Sequence, residues 1–257
     1  MMPPTSIDGT DITGATIDGT DVQEITVDGQ TVFTAEKIPV AFGNLILWYP
    51  FDSTEYGGAN ADDVTSIIGG SGDDTAYDGT VNGATYQSSA GVTDINAGAN
   101  SGAFEFDSSS DNISFSGVPN QSEYSFCFWH KPSSTNTGRN RIFGDTEPGI
   151  HAHPGVNSAR FTFDSFGSQL STSTTITTGT YYHLVVTFDV STGDGEMFKN
   201  GSSIATASGL GHAGFNDQGI AVHSGGEFLA GEVDDVRVYD KVLTSSEVSQ
   251  IYTNTEP

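Results

Sequence analysis

Chemistry first suggests itself at the histidines. His151-Ala152-His153 puts two imidazoles on one side of an extended segment, a spacing that suits a transition metal. Two ligands do not complete a shell, and no cysteine or carboxylate stands at a matching spacing, so surface histidines are the simpler reading. Cys127 is the single cysteine, which excludes an intrachain disulfide. It lies in the alternating run Tyr124-Ser125-Phe126-Cys127-Phe128-Trp129, where a half-buried inert thiol is expected rather than a nucleophile. No G-x-S-x-G elbow is present to present a catalytic serine. Oxygen donors, in contrast, are abundant, with acid pairs at Asp62-Asp63 and Asp73-Asp74. The ion they suit is calcium, which takes several hard oxygens.

The carboxylates dominate the charge. Across 257 residues, 33 Asp and Glu face 8 Lys and Arg, a formal net charge of −25. Eight cations cannot build a basic patch, so nucleic acid and anionic membrane are excluded as direct partners. Only 16% of residues are charged, so the imbalance comes from missing cations and not from an acidic tail. In roughly molar salt the Debye length shrinks to about 3 Å, which screens this self-repulsion, and a halophilic source is the expectation. The start, MMPPTSIDGT, has no basic or apolar leader, so no signal peptide is expected. The most apolar stretch, 38–51, is broken by Pro39, Gly43 and Asn44 and is too short to span a bilayer.

Two kinds of element must position these groups. Residues 6–32 repeat one phrase at a spacing of ten: Ser6-Ile7-Asp8-Gly9-Thr10-Asp11-Ile12, then Thr16-Ile17-Asp18-Gly19-Thr20-Asp21-Val22, then Thr26-Val27-Asp28-Gly29-Gln30-Thr31-Val32. Asp-Gly suits a two-residue hairpin turn, and the eight residues between turns make one strand each, so an antiparallel meander is expected. Such a thin ribbon cannot bury enough surface alone. Its β-formers Ile7, Ile12, Ile17, Val22, Ile25, Val27, Val32 and Phe33 are therefore expected to assemble with copies of the chain or with other proteins. From residue 43 onward, short β runs alternate with Gly, Ser, Asn and Asp at sandwich spacing: 45–49, 103–106, 124–130, 160–163, 181–188, 196–199 and 232–239. One helix is signalled, by the capping box Thr244-Ser245-Ser246-Glu247 followed by Val248 and Ile251 on one face. Expected organisation is thus a β-repeat over 1–36, a linker over 37–42 and an all-β sandwich with a short C-terminal helix over 43–257.

Both parts resemble known families. The repeat resembles the Asp-Gly repeats at the N-termini of virion-attached proteins of tailed viruses, where such segments anchor to the particle. Gly43 to Asp52, Asp78 to Ala84, Gly102 to Asp107, Tyr124 to Pro132, Thr180 to Asp189 and Gly231 to Tyr239 follow the motif order of laminin G-like domains. The likeness is to the jelly-roll branch of the concanavalin A-like superfamily. It implies a structural calcium at Asp52 and Asp234, completed by Asp62 and Asp63 or by Asp73 and Asp74. It also implies a glycan surface, for which Trp129, His153, Arg160, Tyr182 and Phe215 offer rings and planar polar groups. Two spaced from Val236 and Val238, Asp234 is expected on their inward face, with Arg237 or backbone N–H groups as alternative partners to calcium. His183 is expected as a satisfied core histidine. Some relatives are glycosidases with a Glu-x-Asp-x-x-Glu strand, but here Arg237 takes the second glutamate's place after Glu232 and Asp234. An always-protonated guanidinium cannot act as the acid, so no enzyme is expected. The whole reads as a protein of a haloarchaeal virus displayed on the virion surface, as capsid turret, decoration, tail fibre or spike. Its repeat would anchor and oligomerise, and its head would attach to host glycans or glycoproteins. The alternative is a secreted lectin-like adhesion domain of a halophilic cell.

Overall fold

The computed structural model describes residues 6–7, 10–11, 16–17, 20–21, 24–27, 30–34, 40–51, 77–93, 102–107, 109–115, 118–133, 140–143, 149–153, 160–165, 168–211, 218–221 and 229–257. They form two units, Met1–Ile38 and Pro39–Pro257. The first contains β1 (Ser6–Ile7), β2 (Thr10–Asp11), β3 (Thr16–Ile17), β4 (Thr20–Asp21), β5 (Glu24–Val27) and β6 (Gln30–Thr34). They make three two-stranded sheets, β1-β2, β3-β4 and β5-β6, whose strands flank the Asp-Gly steps of the repeat. The turns themselves and the links at 12–15 and 22–23, on which the expected meander depends, lie outside the described residues. Of the proposed assembly residues, Ile12 and Val22 lie outside the described residues, and Ile7, Ile17, Ile25, Val27, Val32 and Phe33 lie on strands.

The second unit opens with a 3-10 turn (Phe42–Asn44) and β7 (Leu45–Tyr49). Then come β8 (Thr80–Asn82), β9 (Thr85–Gln87), β10 (Ala103–Asp107), β11 (Asn112–Phe115), β12 (Glu123–Pro132), β13 (Asn140–Phe143) and β14 (Gly149–His153). It continues through β15 (Arg160–Ser165), β16 (Ser168–Ser173), β17 (Tyr182–Asp189), β18 (Asp194–Lys199), β19 (Ser202–Ala207), β20 (Gln218–Ile220), β21 (Ala230–Tyr239) and the helix α1 (Ser245–Thr255). One sheet has the order β19-β18-β17-β12-β21-β10-β9, with β7 also on β21; the other runs β16-β15-β14-β13-β20-β11-β8. Every pairing is antiparallel, and the result is the expected sandwich with a short terminal helix.

Alternation builds the inner core. Tyr124, Phe126 and Phe128 of β12, Leu184, Val186 and Phe188 of β17, and Val233, Val236 and Val238 of β21 face Ile113, Phe115, Ile142, Phe143, Ile150 and Ile220 of the other sheet. Phe143 sits between the layers, 5.3 Å from Phe126 and 5.9 Å from Phe115 between ring centroids. Burying each such side chain contributes about 1.5–3 kcal/mol. The intervening residues form a second core on the outer face of the first sheet: Leu45, Trp48, Cys127, Val185, Phe198 and Tyr239 pack with Leu243, Val248 and Ile251. The latter two belong to α1, an 11-residue helix too short to persist alone, which depends on this packing and on its capping box. Val40 and Ala41, placed in the linker by sequence, also pack here.

One irregularity sets the parity of the last strand. Cys127 pairs with Arg237 and Trp129 with Asp234, so β21 carries one more residue than β12 over this stretch. Asp235 absorbs the bulge with φ of 46°, a left-handed conformation that Asp tolerates better than most residues. The extra residue reverses the alternation between Asp234 and Val236. Asp234 therefore lies beside Trp129 on the outer face, not on the inward face expected from its offset to Val236 and Val238.

Candidate functional site

The outer face of the first sheet is divided. Beyond the end of α1, Thr85, Glu105, Glu232 and Lys131 follow one another across β9, β10, β21 and β12, with Tyr181 beside Lys131 at the start of β17. Lys131 Nζ lies 2.7 Å from Glu232 Oε1 and 5.1 Å above the Tyr181 ring. The Tyr181 hydroxyl donates to Glu232 Oε2 and accepts from the Gly91 N–H at 2.8 Å. Gln87 Nε2 donates to Glu105 Oε2 at 2.8 Å. Two carboxylates directly opposite on neighbouring strands repel. Here Lys131, Tyr181 and Gln87 offset that cost, so a chain with 8 cations commits one of them to this row. Burial, then the hydrogen bond to Glu232, pushes the Tyr181 phenol up, so it stays a donor at neutral pH. The row presents a partly exposed ring beside carboxylate, ammonium and amide, the complement of a hydroxyl-rich ligand.

Backbone geometry supports the row from below. Gly231 has φ of 135°, and a Cβ there would come within 2.2 Å of the Lys131 carbonyl oxygen, so only glycine lets β12 and β21 close at this end. Asp234 fixes the loop that feeds Tyr181. Its Oδ2 accepts the Val92 N–H at 2.8 Å and its Oδ1 accepts the Asp235 N–H at 2.7 Å. Gly91, with φ of 94°, has no room for a Cβ, which would approach Asp234 Oδ2 at 2.7 Å. Asp234 thereby holds the Gly91 amide against Tyr181, matching the backbone N–H alternative raised from sequence.

Under α1 the same face is closed. Asp235 Oδ1 accepts from Trp48 Nε1 and from Arg237 Nε, both at 2.8 Å, and the Arg237 guanidinium lies 5.0 Å from the Trp48 ring centroid. Arg237 is 2% exposed, so this is a buried ion pair whose partners depend on each other. Trp129 donates from Nε1 to Thr255 Oγ1 at 2.8 Å and stacks on Tyr252 at 5.7 Å. Cys127 is fully buried rather than half-buried, and burial pushes its thiol up, which leaves it inert as expected.

Several glycan candidates therefore fall elsewhere. Trp129, 1% exposed, faces outward but is covered by α1, and Tyr182 points into the inner core, where Lys199 lies 4.7 Å over its ring. Neither offers a free ring to a ligand. His153 and Arg160 are brought together, as register partners of β14 and β15 on the other sheet. Phe215, Asp52, Asp62, Asp63, Asp73 and Asp74 lie outside the described residues, within which no three His, Cys, Asp or Glu side chains gather as a metal site. Tyr181, Lys131, Glu232, Glu105 and Gln87 were not singled out from sequence as a site. The available signal was parity, since Tyr181 is one residue from Tyr182 and two from His183, which lies beside Trp129 on the outer face.

This sandwich, with its bulged last strand and helix-covered face, defines a class. A family model described as the concanavalin A-like lectin/glucanases superfamily (Laminin_G_3) matches residues 107–249. More than half of the chain is covered, and the protein belongs to that family. Among solved structures, domain 4 of AbnA, an extracellular arabinanase of Geobacillus stearothermophilus, is similar at a TM-score of 0.58 and 19% identity, covering 81% of this chain and 99% of that one. The binding domain of botulinum neurotoxin serotype D matches at a TM-score of 0.58 and 14% identity, covering 82% of this chain and 52% of that one. The binding domain of Paraclostridial Mosquitocidal Protein 1 gives 0.54 at 16% identity, with 82% and 52% covered. These likenesses are of fold. No curated protein sequence matches the chain. Among the described residues no helix is long and apolar enough to cross a membrane.

Proposed function

We propose that the second unit is a saccharide-binding head and that the open row Tyr181, Lys131, Glu232, Glu105 and Gln87 is its contact surface. The observation that carries this is the row itself: a partly exposed ring and four polar side chains ordered across five positions of a lectin-superfamily sheet. Arg237, in the place of a second catalytic glutamate, is locked on Asp235, and Glu232 is held by Lys131 and Tyr181, which favours binding over hydrolysis. The wider reading keeps the head on a virus particle, attached to host glycans or glycoproteins, with the Asp-Gly hairpins anchoring and oligomerising. Its support is the resemblance of the repeat and an acidity suited to high salt.

The test is a glycan array in molar salt with wild type and Tyr181→Ala. The structure of domain 4 of the arabinanase is of a complex with arabinotriose, so arabinan oligosaccharides belong on that array. Binding that the substitution removes supports the reading. A silent array overturns the saccharide role, and binding that survives Tyr181→Ala overturns the assigned surface. Deletion of 1–38 tests the anchor: the head stays folded and incorporation into particles is lost.

A further inference from the structure

The second core holds a histidine with no counter-group. His183 is 1% exposed, and neither Nδ1 nor Nε2 meets a hydrogen-bond partner in the protein. The satisfied role expected from sequence is thus not what the core provides. Its ring lies 5.1 Å from the Trp129 ring and 6.1 Å from that of Tyr252 on α1. The titratable and charged groups of this core are Arg237, Asp235 and Tyr239 of β21, Cys127 of β12 and Tyr252 of α1, with Glu256, just past the helix, acting on Tyr252. The β18–β19 turn supplies only Asn200, which bonds the His183 main chain. Of these, Arg237 acts on His183 and disfavours its charged form.

We propose that α1 is an acid-released clasp, in which protonation of His183 undocks the C-terminal helix from an otherwise folded sandwich. The geometry gives the direction. An imidazolium on this face can be hydrated by lifting one short helix, held by Val248 and Ile251, the Trp129–Thr255 hydrogen bond, the Thr93 bonds to the Thr255 and Glu256 carbonyls and the Lys241–Glu247 pair, with strand pairing intact. Desolvation, then Arg237, holds His183 down to about 3 while α1 is docked, against 6.5 once hydrated. The lifted state then binds one more proton than the docked state throughout that window. The docked-to-lifted ratio falls about tenfold for each pH unit below 6.5, and is unaffected above it.

The experiment is hydrogen exchange on the full chain at pH 7 and 4.5, corrected for intrinsic rates. Protection of the 245–255 amides should fall about 100-fold and stay below that of the β12 and β17 amides at both pH values, because lifting α1 opens less of the protein than global unfolding does. In His183→Phe the fall should vanish. Unchanged protection of α1 at pH 4.5, or an equal fall in His183→Phe, overturns the proposal. So does equal protection of the 245–255, β12 and β17 amides at pH 4.5, which would mean that α1 opens only by global unfolding. If His183→Phe does not fold, imidazole NMR of the wild type decides: the clasp requires His183 to stay neutral in the docked form and to titrate with α1 exchange.

Discussion

One face of one sheet is used in two ways. At the α1 end, Trp48, Trp129, Cys127, Arg237 and Tyr239 lie on the outward side of their strands yet are buried. At the other end, Glu105 on the same side is exposed and Lys131, Glu232 and Tyr181 are partly so. Strand geometry assigns the face in both halves, but tertiary cover decides whether a residue there is core or surface. Glu232 and Arg237 stand five positions apart on one strand, and the first meets part-exposed groups while the second is sealed.

The largest effect that would break this contrast is expected in the covered half. Arg237→Ala leaves Asp235 buried and uncompensated and should cost about 3–5 kcal/mol by chemical denaturation. An Arg237→Met, Asp235→Asn double variant, which keeps an acceptor for Trp48 Nε1 and a residue suited to the left-handed bulge, should recover part of that loss. A cost near zero for the single variant would mean that water already reaches this half. Next comes acid. His130 lies in the inner layer behind the open row, and desolvation holds it down to about 4. Below its ordinary 6.5 the unfolded chain binds a proton that the native state refuses, so stability falls with pH. This histidine alone should lower it by about 3 kcal/mol by pH 4, and His130→Phe should remove that share in pH-dependent denaturation.

In the open half the expectation reverses. Tyr181→Ala should weaken saccharide binding at least about tenfold while shifting stability by less than ~1 kcal/mol, since its ion-pair neighbours are part-exposed. Tyr182→Ala, one residue on, should instead cost about 3–5 kcal/mol in the manner of a core aromatic. Isothermal titration and denaturation of the two variants side by side would sharpen or erase the distinction. The smallest effect is at the helix start. Thr244 caps α1 through the Glu247 N–H, so Thr244→Ala should cost about 1 kcal/mol in thermal denaturation.

Much of the fold was legible because one-sided burial leaves a period of two, as in Ala103 to Asp107, and because the Thr244 to Glu247 capping box is local chemistry. The site was less so. In β17 both faces are buried from Tyr182 to Phe188, so Tyr181, Tyr182 and His183 carry no alternation that tells which ring is free. The bulge at Asp235 leaves no mark in composition, yet it moves Asp234 to the other face. The cover supplied by α1 is a long-range event, and no spacing near Trp129 announces a helix 126 residues away.

Cys127 gives this division a clock. The chain has one thiol, sealed beneath α1 beside Arg237, and nothing else in the molecule competes for a sulfhydryl reagent. Its labelling rate is a built-in measure of how often the roof opens, readable in the unmodified protein at any salt concentration the protein normally meets.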